Sequence, residues 1–207
     1  MKAAYNILRY GVPSLKEAIV CGQYQYPKGI FYGGSEPSVA TKGVMDHCEQ
    51  WVGKASVIAH IDLHSGLGDF GEYTILIDEQ PEAEDYSWYA ESFGEEALGG
   101  MQNSDQIGYA VSGGMGVWLQ RKFNDRKYYF AGAEFGTYGP VRVMGALRAE
   151  NRAHHYASPE SKGYTNAKVE LLECFCPASE EWRKRVISSS MHIISSAIGG
   201  LQRCVGR

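Results

Sequence analysis

The chain has 207 residues, enough for one domain with its own core and short for two. Hydrophobic residues make up 44% of it, and 20 Lys plus Arg against 24 Asp plus Glu leave a net charge of −4, so nothing suggests a polyanionic partner. No stretch reaches the ~18 apolar residues of a membrane span, and the odd count of five cysteines suits reduced thiols in a cytoplasmic protein.

Apolar positions at helical spacing predict a helix over 3–20, ending before Gly22. Gly11 and Pro13 break this run, so it does not read as a signal peptide. The aromatic, turn-rich YPKGIFYGGSEP (26–37) reads as loop with at most a short strand. Residues 38–52 predict an amphipathic helix closed by Gly53. ASVIAHIDLHS (55–65) and EYTILID (72–78) read as buried strands. A surface helix, acidic on one side, is predicted over 82–98 and a further helix over 114–123. KYYFAGAEFG (127–136) reads as a strand and 139–155 as a helix. ASPESKGYTN (157–166) is the most loop-like stretch, and 179–205 predicts one long helix. Helices alternating with buried strands indicate an α/β fold: a three-layer αβα sandwich with a mixed, largely parallel sheet, and a single domain over 1–207.

GLGDFG (66–71) matches G-x-G-x-x-G after a strand, but a dinucleotide fingerprint needs a helix immediately afterwards to hold the pyrophosphate. Strand-forming EYTILID follows instead, which argues against nucleotide binding. The nucleophile-elbow pattern G-x-S-x-G also fails, because Ser35 lacks its second glycine and Ser65 has leucine at both glycine positions. In HIDLHSGLG (60–68), strand alternation places Asp62 and His64 on one face and Ile61 and Leu63 on the other. A carboxylate and an imidazole at a strand end, opening onto a glycine turn, suit a functional site. A core histidine, with Asp62 capping the turn, accounts for the same residues. In AEFGTYGP (133–140), Glu134 ends a second apolar strand and is costly to bury unless paired or functional. A potential ligand and a potential base on two strand ends suggest a metallohydrolase, while a lysine or arginine neutralising Glu134 stays open.

The run from YGVPSLKEAIVCGQYQYPKGIFYGG through HIDLHSGLGDFGE to AEFGTYGPVRVMGALRAENRAHH, about residues 5–157, resembles an uncharacterised branch of the zinc carboxypeptidase-like superfamily. That superfamily also contains aspartoacylase and succinylglutamate desuccinylase. The resemblance implies a mixed sheet between helices, zinc as cofactor, and hydrolysis of an amide bond in a small amino-acid or peptide substrate. It implies His64 as the third zinc ligand and Glu134 as the general base. Asp62, Gly66 and Gly68 would then support the ligand and form the turn. Thr137 and Arg148 are candidate substrate contacts. Arg142, Arg148 and Arg152 follow Glu134 on the helix predicted over 139–155 and could meet a carboxylate; Arg148 and Arg152 share a face, with exposed solvated arginines as the plainer reading.

One departure stands out. The superfamily takes its first two ligands from an earlier H-x-x-E motif, and none of His47, His60, His64, His154, His155 or His192 has a glutamate three residues on. No segment resembling the superfamily's substrate-gripping arginine motif is found either. His60 shares a strand face with His64 but lies ~13 Å along the strand. The histidine pair at 154–155 reads as a helix C-terminal charge feature, and CFC (174–176) as buried thiols. The chain therefore reads as the C-terminal half of such a domain, with the N-terminal strands missing. It is expected to be a truncated or split zinc-dependent amide hydrolase of metallocarboxypeptidase or N-acyl amino acid deacylase type, holding zinc weakly when alone. Its expected partners are an N-terminal half or a second copy, with no nucleic acid and no membrane. The alternative is a non-catalytic remnant, a binding or assembly module that keeps the fold without metal.

Overall fold

The computed structural model describes residues 22–66, 68–78, 82–100 and 113–206; the helix predicted over 3–20 lies outside them. Among them, four strands form one sheet in the order β1-β4-β2-β3: β1 (Val57–Gly66), β2 (Tyr73–Ile77), β3 (Leu98–Gly100) and β4 (Lys127–Gly136). β1 and β4 are parallel and in register from Val57 opposite Lys127 to Gly66 opposite Gly136. β2 runs antiparallel to β4, and β3 parallel to β2. From Tyr128 to Gly136 every residue of β4 is buried. A near-continuous apolar run of this kind belongs in the middle of a sheet covered on both faces.

Among the described residues, six helices surround the sheet: α1 (Val39–Val52), α2 (Tyr86–Phe93), α3 (Met115–Lys122), α4 (Pro140–Tyr156), α5 (Lys162–Phe175) and α6 (Glu180–Val205). Ser38, Ser161 and Ser179 cap α1, α5 and α6 by accepting from the backbone N–H three residues on. Gly53 closes α1 with φ of 56°, a conformation that favours glycine. On one sheet face, Tyr129, Ala131, Ala133 and Phe135 meet Trp88 and Tyr89 of α2 and Ile193 of α6. On the other face, Tyr128, Phe130 and Ile58 meet Cys48 of α1 and Leu119 of α3. The expected three-layer αβα arrangement with a mixed, mostly parallel sheet is therefore present. Among the described residues, no helix is long and apolar enough to cross a membrane.

Two predicted elements need correction. The run 82–98 is not one helix: α2 stops at Gly94, whose φ of 83° turns the chain into a 3₁₀ turn (Glu95–Ala97) and then β3. The loop predicted over 157–166 ends at Ser161, and α5 begins at Lys162. Gly163, Thr165 and Asn166 are weak helix formers. The helix is held by packing, with Leu171, Cys174 and Phe175 closing against Val143, Ala146 and Leu147 of α4.

Ile193 is almost fully buried between α6 and the sheet. Ile193→Ala is expected to lower unfolding free energy by about 2–5 kcal/mol, through lost burial and a residual cavity. Val169→Ala, at an exposed position on α5, should stay within about 0.5 kcal/mol in the same denaturant titration.

Candidate functional site

Because β1 and β4 are parallel, their C-terminal ends lie together at one edge of the sheet, and the register sets His64 directly beside Glu134. Both side chains rise from the same sheet face. His64 Nε2 is 4.0 Å from Glu134 Oε2, and His64 Nδ1 is 3.9 Å from Asp62 Oδ2. The imidazole thus lies between two carboxylates of different character. The His64 side chain is 62% exposed and that of Glu134 only 10%. Both gaps exceed a direct hydrogen bond, but 4.0 Å accommodates one shared oxygen at ~2.8 Å from each atom.

Glycines shape the floor. A Cβ on Gly66 would lie 3.1 Å from Glu134 Oε1 and 3.5 Å from the Phe175 ring, so the missing side chain leaves the space that the carboxylate occupies. A Cβ on Gly136 would lie 2.1 Å from the Asp69 carbonyl oxygen, because the glycine turn folds back over the end of β4. Gly68 and Gly71 have φ of 121° and 78°, as that fold-back requires. The Gly136 carbonyl accepts from Gly71 N–H at 3.0 Å and from Trp182 Nε1 at 2.8 Å, and its N–H donates to Glu72 O at 2.9 Å. Ser65 donates its hydroxyl to Phe175 O at 2.6 Å, tying the strand end to the last turn of α5.

The other sequence-derived candidates are distributed unevenly. Asp62 sits beside His64, Gly66 ends β1, and Gly68 lies in the turn that follows. Thr137 is buried and donates its hydroxyl to Gly66 O at 2.6 Å, with its N–H on the same oxygen at 3.2 Å, so it braces the turn. Arg148 is exposed on α4, about two turns beyond the helix start. His154 and His155 do occupy the last turn of α4. Of the CFC thiols Cys174 is buried, whereas Cys176 is exposed, which corrects the expectation that both are buried.

The sequence reading did not find the wall that α5 contributes. Arg142 lies over the Tyr138 ring, 3.8 Å from its centroid, and pairs with Glu170 at 2.7 and 3.3 Å. The hydrogen bond from Arg142 holds the Glu170 carboxyl below its usual range. Tyr138 donates to Glu173 at 2.5 Å, and that bond raises the phenol's pKa. Phe70 of the glycine turn packs 5.5 Å from Tyr138, linking turn, β4 exit and α5. Apolar positions at 167, 171 and 174 are spaced for a helix and were the available signal.

A family model described as "Protein of unknown function (DUF2817)" matches residues 1–189. The chain belongs to that family. No curated protein and no solved structure matches it. The matched span of this DUF2817 chain contains His64, Glu134 and the whole glycine turn. Catalytic zinc takes three protein ligands and an open position. Among the described residues, no group of three or more His, Cys, Asp or Glu is placed to hold a metal ion. His64 with Asp62 and Glu134 at 3.9 and 4.0 Å does not form such a group, so on their own these donors do not fit a catalytic zinc.

His60 is engaged elsewhere, with Nδ1 3.2 Å from Tyr128 Oη and its ring 4.9 Å from Phe130. Burial lowers its pKa and pushes that of Tyr128 up to about 12. A depressed histidine leaves stability intact above the unfolded value of about 6.5 and diminishes it as pH falls through that value toward the folded one. His60→Gln is expected to flatten this acid limb in denaturant midpoints measured from pH 8 to pH 4.5.

The close approach at Gly136 leads to a second expectation. Gly136→Ala forces the Asp69 carbonyl or β4 to move, and should destabilise by about 1–3 kcal/mol or more. Thermal unfolding against wild type measures it.

Proposed function

We propose that this chain carries the base-and-histidine half of an amide-hydrolase site of the zinc carboxypeptidase-like kind. One observation supports the reading above the others: the parallel register of β1 and β4 sets an open imidazole 4.0 Å from a nearly buried glutamate at the C-terminal ends of the strands. Ligands completing a zinc site come, on this reading, from outside the described residues.

The chemistry of the chain's own residues follows from that pair. A water oxygen in the gap lies within hydrogen-bonding reach of Glu134 and His64 together. As that oxygen attacks an amide carbonyl carbon, Glu134 accepts the proton it releases. When the carbon–nitrogen bond breaks, Glu134 returns the proton to the leaving amine. Thr137, Gly66 and Trp182 hold the two strand ends in place and do not touch the reacting atoms. A small N-acylated amino acid or short peptide is the proposed substrate class. The free thiols at Cys48, Cys174, Cys176 and Cys204 support a reducing, cytoplasmic compartment.

The test uses the full native polypeptide, supplied with zinc and assayed on a panel of N-acyl amino acids and short peptides. Glu134→Gln is expected to lower kcat by about 10²–10⁴ while leaving zinc affinity measured by calorimetry unchanged. His64→Ala should weaken zinc binding. Turnover that survives Glu134→Gln would remove the base assignment. Absence of turnover in wild type together with zinc binding indifferent to His64→Ala would favour a module without chemistry.

A further inference from the structure

The register that sets His64 beside Glu134 continues across the sheet. On its other flank Glu134 is opposite Thr74 of β2, so His64, Glu134 and Thr74 form one row over three strands. Residues paired in this way share a sheet face, with Cβ atoms ~4.5–5.5 Å apart. The next row on that face is Asp62, Gly132, Leu76 and Gly99. Gly132 brings no side chain there, so the central strand itself leaves room beside Glu134, between Asp62 and Leu76.

Two details single out Thr74. Both Glu134 oxygens lean toward β1: Oε2 is 4.0 Å from His64 Nε2, and Oε1 would be 3.1 Å from a Cβ on Gly66. The carboxylate therefore turns away from Thr74 and does not cover it. A Cβ on Gly99 would lie 2.7 Å from Thr74 Cγ2, so the threonine methyl fills the space this glycine provides on the β3 side. The hydroxyl is left to the other directions. Among the described residues it has no hydrogen-bond partner, and Thr74 is half-buried.

We propose that Thr74 is a specificity-determining residue, whose hydroxyl binds a neutral hydrogen-bonding side chain, amide or hydroxyl, on the amine half of the substrate. The inference rests on the amide-hydrolase reading of the site. On that reading the attacking water lies on the β1 side of Glu134, between it and His64. The leaving amine must reach the same carboxylate to receive its proton. With the β1 flank taken, the amine approaches over β2 and carries its side chain onto Thr74, Leu76 and Gly132. A site that hydrogen-bonds a substrate group rejects the analogue lacking it, because the site's own polar group is then left unpaired.

Asp62 sets the charge that this space accepts. It faces Gly132 from β1, and among the described residues its ion-pair partner is His64, with no lysine or arginine. An acidic side chain placed there would meet a like charge. An amide of the same shape meets none.

The probes are N-acetyl-L-asparagine, N-acetyl-L-leucine and N-acetyl-L-aspartate, which are close in shape and differ in polarity and charge. Their dissociation constants are measured by calorimetry on the full 207-residue chain with zinc, carrying Glu134→Gln so that no probe is consumed. The asparagine probe is expected to bind about tenfold more tightly than the leucine probe, with the aspartate probe weaker than the asparagine probe. Thr74→Val, which keeps the shape and removes the hydroxyl, should abolish the advantage over leucine, and Thr74→Ser should keep it. Far-UV circular dichroism checks each fold, and Thr74→Ala is read in place of a valine variant that unfolds. Hydrolysis of the same probes by the chain with its native Glu134 is followed separately. Discrimination without hydrolysis would keep Thr74 as the binding determinant and remove the hydrolase reading. Hydrolysis with equal affinities, or a preference that survives Thr74→Val, overturns the Thr74 assignment and leaves the hydrolase reading. Failure of all the probes to bind overturns the assignment as well.

Discussion

The parallel, in-register pairing of β1 with β4 is the constraint on which the rest of the molecule depends. Ten residues of each strand lie opposite one another. A slip by one residue would turn every side chain of β1 to the other face. His64 and Asp62 would then leave Glu134 and point toward the layer that contains α2 and α6. The register is held by burial on both sides. Odd-numbered residues of β4 meet Trp88, Tyr89 and Ile193, while Tyr128 and Phe130 pack against α1 and α3. Neither set can be exchanged for the other without opening both cores.

That frame also explains how a carboxylate is tolerated at position 134. A buried charge in the middle of β4 would be heavily penalised by desolvation. Glu134 sits two residues from the strand's end, where Gly66 opens space for its oxygens and His64 lies over it. The last peptide groups of the strand are fully engaged, with the Gly136 carbonyl shared between Gly71 and Trp182. A rigid end to β4 is thus obtained from backbone hydrogen bonds and glycine contacts. The one charged side chain placed there keeps a defined position against the imidazole.

α6 joins the two ends of this design. Its first turn supplies Trp182 to the strand ends at the candidate site, and its middle fills the core beneath β1 and β4 through Ile193 and Ala197. The same helix turns Ile187, Met191, Ile194 and Ile198 outward. A helix apolar on two sides is ordinarily enclosed on both. α6 thus both braces the strand end beside the candidate site and carries the outward stripe.

Much of the local structure was legible from residue order. Apolar alternation and continuous apolar runs marked β1, β2 and β4, and Gly53 marked the end of α1. The chemical types in HIDLHSGLG and AEFGTYGP singled out His64 and Glu134 before any geometry. β3 and α5 were not legible. Three residues carry too little periodicity to announce a strand, and Gly163, Thr165 and Asn166 mask a helix held by its contacts with α4. Whether Asp62, His64 and Glu134 meet was equally beyond reach of the sequence, because strand direction and register depend on which faces other elements bury. Residue order by itself determined which groups stand at strand ends and on which face of each strand. Only the tertiary structure decided that β1 runs beside β4 and parallel to it, since that choice is made by the two hydrophobic layers that close over the pair.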